Sequence, residues 1–133
     1  MGSKEIYLEI PVENIAESDE WKQKIRQLAK ENKLIGIDVS FEKKSIFVTN
    51  AYELERYMNS QEDPIVKDYI EETLPDRYYM LVTPHDFYIE ASDKNIDKAL
   101  RLVDAFITSR TSGIHELPRL LKDTETFEIM VIQ

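Results

Sequence analysis

The chain has 133 residues, no cysteine, and 17 basic against 26 acidic side chains, for a formal net charge of −9. That length fits one domain over residues 1–133, and the lack of cysteine excludes disulfides, Cys-based zinc sites and thiol catalysis. Hydrophobic residues at 42% and charged residues at 32% make a globular balance, and no apolar run approaches the roughly 18 residues that a membrane helix needs.

The N-terminus runs straight into an alternating segment, not an apolar leader, so a cytoplasmic protein is expected. Met1-Gly2 invites N-myristoylation, but Ile6 stands where that signal needs Ser or Thr. Ile6, Leu8 and Ile10 share one face of a strand over 5–10 that Pro11 ends. Ser18 is a plausible N-cap for an amphipathic helix over 19–32, with Trp21, Ile25, Leu28 and Ala29 inward. Ile35, Ile37, Val39 and Phe41 form one face of the next strand. Asp38, Ser40 and Glu42 take the other, which parity assigns to solvent. A turn at Lys43-Lys44 leads to a returning strand over 45–49. Gly36, inside a strand, marks a bulge or close packing.

Asn50 suits the cap of a short helix over 51–59. Asp63-Pro64 starts another, with Ile65, Val66, Tyr69, Ile70 and Leu74 as its apolar face and Pro75 as its stop. Residues 78–83 and 87–91 read as a strand pair around the Pro84-His85-Asp86 turn. Ser92 or Asp93 caps a long helix to about Ser109, a short helix over 114–121 can follow Gly113, and 127–132 reads as a last strand. The order β-α-β-β-α-α-β-β-α-β implies an α+β fold, an antiparallel or mixed sheet backed by helices, with a ferredoxin-like core as one arrangement.

Charge is unevenly spread. Residues 53–76 hold eight acids against Arg56 and Lys67, a local net charge of −6. Asp68, Glu71 and Glu72 fall within about 100° of one helix face, and tyrosines crowd the same region. Such runs are most often simple solvation. As an epitope, Tyr52, Glu53, Glu55, Asp68, Glu71, Glu72 and Asp76 would offer carboxylates and packing area to a basic protein. The −9 charge disfavours direct nucleic-acid binding.

Catalytic signatures are weak. His85-Asp86 resembles part of a metal phosphohydrolase signature, but His115 is the one other histidine. Asp38 with Glu42-Lys43-Lys44 matches the letters of a nuclease pattern at too short a spacing, and Pro75-Asp76 with Glu90-Ala91-Ser92 has better spacing but lacks the lysine. There is no Gly-rich phosphate loop and no nucleophile elbow. No cofactor or metal is expected.

The expected function is therefore a small, acidic, non-catalytic binding domain that masks or regulates a basic protein surface. Immunity proteins, antitoxins and phage inhibitors of defence enzymes share that composition. The alternative is an α+β domain that binds or converts an anionic small molecule, using Lys22, Arg26, Arg77 and His85. Edge strands at 5–10 and 127–132 could also pair with another copy.

Overall fold

The computed structural model of the chain describes residues 4–52, 60, 62–73, 78–111 and 125–131. Their elements follow the expected order: β1 (Ile6–Pro11), a 3-10 turn (Val12–Ala16), α1 (Glu20–Glu31), β2 (Ile35–Ser40), β3 (Ser45–Asn50), α2 (Pro64–Thr73), β4 (Tyr78–Val82), β5 (Asp86–Ala91), α3 (Ile96–Thr111) and β6 (Phe127–Val131). The 3-10 turn has no counterpart in the sequence reading. The helices expected over 51–59 and 114–121 fall largely or wholly outside the described residues, as does Pro75.

The strands form one mixed sheet in the order β1-β3-β2-β5-β4-β6. Its ladders are antiparallel except β4 with β6, which is parallel. This is an α+β fold. β1 and β2 run in the same direction with β3 between them, so β1-α1-β2 is a split crossover. A ferredoxin-like sheet would continue beyond β1. Here the sheet grows from β2 through β5, and β1 and β6 are its edges.

One face of the sheet carries the main core. Ile35, Ile37 and Val39 of β2 lie beside Ile46 and Val48 of β3 and Phe87, Ile89 and Ala91 of β5, all buried. Trp21, Ile25 and Ala29 of α1 and Leu100, Val103, Phe106 and Ile107 of α3 cover them. Phe106 stacks on Phe87 with ring centroids 4.5 Å apart, and Phe41 tilts against it at 5.3 Å. Burying each such side chain contributes about 1.5–3 kcal/mol.

The helix ends explain the local boundaries. Asp19 occupies the N-cap of α1, one residue later than expected, and Ser18 Oγ accepts from the Glu20 amide at 3.3 Å. At its other end the Asn32 side chain donates to the Leu28 carbonyl at 2.9 Å. Asp63 Oδ1 accepts from the Ile65 amide at 2.9 Å, so Asp63-Pro64 starts α2 as expected. The expected cap of α3 at Ser92 or Asp93 is corrected to Asn95, whose carbonyl accepts from Ala99 at 3.0 Å. Ser92 and Asn95 instead lock the preceding turn, where Asn95 Oδ1 accepts from the Ser92 amide at 2.7 Å.

Candidate functional site

The second face of the sheet departs most from expectation. Its residues lie in register rows. One row runs Thr49, Gly36, Glu90 across β3, β2 and β5, and on the β4–β6 ladder Tyr79 lies opposite Glu128. The next runs Phe47, Asp38, Tyr88, Leu81. Thr49, Glu90, Tyr79, Tyr88 and Phe47 are all buried. Parity placed Asp38 and Ser40 on the correct face, but that face is not solvent. Asp38 is half-buried and Ser40 buried, while Glu42 is exposed as expected. Alternation reports which side a residue takes, not what lies over it.

Gly36 permits a close approach on this face. A Cβ there would meet Tyr88 Cε2 at 2.6 Å and its hydroxyl at 2.8 Å. The expectation of close packing at Gly36 is met. Beside it, Glu90 is 1% exposed. Burial pushes its carboxyl well above the ordinary glutamate range, and hydrogen bonding from Tyr88 offsets only part of that.

Next to these rows, a cavity of about 360 Å³ opens on the same face. Asp38, Phe47, Tyr88 and Asp86 line it together with Lys4 and Lys43. Sequence reasoning did not single out Phe47 or Tyr88 for a site. The signal was present in the pairing of Gly36 with a bulky aromatic strand, but it needs the register of β2 against β5 to be read.

The acidic region is only partly described. Glu53, Glu55 and Asp76 lie outside the described residues, as does the side chain of Glu71. Tyr52 is half-buried, whereas Asp68 and Glu72 of α2 are exposed. The described members of the apolar face expected for α2 are exposed. Ile65 is 79% exposed, Tyr69 54% and Val66 37%. Ile70's side chain and Leu74 are outside the described residues. At about 100° per residue, Asp68, Glu72, Ile65 and Tyr69 fall in sequence around one arc of roughly 100°. Tyr69 donates to Glu128 of β6 at 3.4 Å, which ties α2 to the second face of the sheet.

Of the anion-binding set, Lys22 and Arg26 are paired with carboxylates and His85 lies apart from them. Lys22 pairs with Asp19 at 3.7 Å and with Asp104 of α3 at 3.6 Å. Arg26 Nε donates to Asp97 Oδ1 at 2.8 Å. Both cations thus join α1 to α3 on the helix-covered side. His85 is exposed in the β4–β5 turn, and Arg77 lies outside the described residues. Among the described residues, no group of three or more His, Asp or Glu side chains converges to hold a metal ion. No described helix is long and apolar enough to cross a membrane.

Comparison of the chain with protein-family models, curated proteins and solved structures finds no match.

Proposed function

We propose that this chain is a non-catalytic binding domain that engages a basic protein surface through α2. The observation that supports the reading is the exposed stripe of Asp68, Glu72 and Ile65, with the half-exposed ring of Tyr69 at its sheet-side edge. Two apolar side chains at 79% and 54% exposure sit beside two exposed carboxylates on one helix face. An apolar and aromatic centre flanked by charge suits a protein contact: burial supplies affinity, and the carboxylates select a basic partner. The overall charge of −9 extends the attraction beyond the contact itself. Masking a basic surface in this way is the role of an immunity protein, antitoxin or anti-defence inhibitor, and we place this chain in that class, in the cytoplasm.

The test is capture from native-host lysate with the wild-type chain, Asp68→Lys/Glu72→Lys and Ile65→Ala. A basic partner retained by the wild type, lost with the charge reversal and weakened by Ile65→Ala is the expected result. Equal retention by all three chains, unaffected by salt, overturns the assignment to α2.

A further inference from the structure

The row Phe47–Asp38–Tyr88 places a carboxylate between two aromatic residues on neighbouring strands. Phe47 and Tyr88 are 8% and 2% exposed, while the Asp38 side chain keeps 17%. All three line the cavity of about 360 Å³. Two of the chain's own ammonium groups already lie over Phe47. Lys4 Nζ is 5.9 Å from the ring centroid and Lys43 Nζ is 5.5 Å. Lys4 Nζ is also 3.6 Å from Asp38 Oδ2. The two lysines arrive from different places, one just before β1 and one from the β2–β3 turn.

An ammonium over an aromatic face is attracted by the ring quadrupole, and more strongly where water is partly excluded. A carboxylate held beside the ring adds a Coulombic term to the same site. The cavity therefore provides what an alkylammonium group needs. Its size is at the low end for ligand pockets, which span about 300–1,000 Å³, and suits one side chain or a small amine.

We propose that this cavity binds an alkylammonium group and that Lys4 is an intramolecular occupant that the ligand displaces. Lys4 is suited to that role because its side chain is 37% exposed and its ammonium stands 3.6 Å from Asp38 Oδ2, beyond hydrogen-bond distance. Asp38, Glu42 and Asp86 stand against Lys4 and Lys43 around the cavity, so displacing Lys4 leaves a carboxylate excess that favours a cation over an anion. The ammonium can come from a lysine of another protein or from a free amine. The proposal is independent of the α2 surface, and its variants leave α2 unchanged.

The experiment is an NMR titration of the full chain with three probes: the blocked peptide acetyl-Gly-Lys-Gly-amide, the same peptide acetylated on the lysine, and cadaverine. The amine-bearing probes should shift resonances of Phe47, Asp38 and Tyr88, and the acetylated peptide should not. Lys4→Met should tighten binding by about two- to fivefold, the worth of a loosely held, partly exposed ion pair. Asp38→Asn should weaken it by about tenfold or more, as for loss of a charged hydrogen-bond partner. Tighter binding of the peptide identifies a protein lysine as the source, and tighter binding of cadaverine a free amine. Equal shifts with the acetylated peptide, no shifts with either amine, or an affinity unchanged in Lys4→Met would overturn the proposal. Lys4 lies outside every helix and strand, so that variant remains informative even if Asp38→Asn disturbs folding.

Discussion

The ring of Tyr88 lies where a side chain on Gly36 would be: a Cβ there would come within 2.6 Å of Cε2 and 3.0 Å of the Asn50 carbonyl. The two residues are on paired strands, two register positions apart, with Gly36 opposite Glu90 and Asp38 opposite Tyr88. Gly36→Ala should therefore destabilise the fold by about 1–3 kcal/mol through overpacking. Urea unfolding measures this directly. In a Tyr88→Val background the same change should cost much less, since the clash is with that ring. Additive costs in the double variant would show that the ring is not the obstacle.

Glu90 links stability to pH. Its folded carboxyl holds a proton to higher pH than the unfolded chain does, because burial disfavours the charged form. The sign follows from that. Between the ordinary glutamate range and the raised folded value, the unfolded state releases its proton first, so stability falls as pH rises. For one group the slope is at most about 1.4 kcal/mol per pH unit. Glu90→Gln should be more stable than wild type near neutral pH, with the difference shrinking towards pH 4. Parallel stability curves for the two chains across that window would count against the assignment.

Lys44 is the one non-glycine residue with positive φ among those described, at 54°. Its carbonyl accepts from the Val12 amide at 2.9 Å, so the β2–β3 turn also anchors the 3-10 turn after β1. A left-handed backbone costs an L-residue about 1–2 kcal/mol. Glycine removes that cost but adds unfolded-state entropy of about 0.4–1 kcal/mol. Lys44→Gly should therefore stabilise by up to about 1.6 kcal/mol, and the β-branched Lys44→Val should destabilise. Chemical denaturation should show opposite shifts in midpoint with unchanged slope.

The fold was legible where one pattern had one meaning. α1 reads clearly because Trp21, Ile25 and Ala29 recur at helical spacing and all three are buried. β2 and β3 read clearly because alternation and a polar turn agree. The candidate sites were less legible. In α2, Ile65 and Tyr69 form an apolar stripe, but α1 and α3 already cover the helix-bearing face, and the stripe stays exposed. Periodicity identifies a stripe and cannot say whether the core has room for it. Asp38 shows the converse on a strand: its parity was correct, but its surroundings depend on Phe47 and Tyr88, which reach it only through the pairing of three strands. The parallel partner of β6 was likewise a long-range choice, set after the α3 crossover and not by residues 127–131 themselves.

Trp21 is the single tryptophan of the chain, is 5% exposed, and has the Lys22 ammonium 5.4 Å from its ring centroid. It belongs to the helix-covered face, with the whole sheet between it and the cavity beside Phe47. The chain thus carries one tryptophan reporter, read apart from its seven tyrosines by red-edge excitation, and that reporter watches a single side of the molecule. Its emission should shift to the red when α1 undocks or the chain unfolds, and should stay constant while an amine fills the cavity on the opposite side. Fluorescence and NMR together then separate loss of structure from occupancy in one sample, without any label.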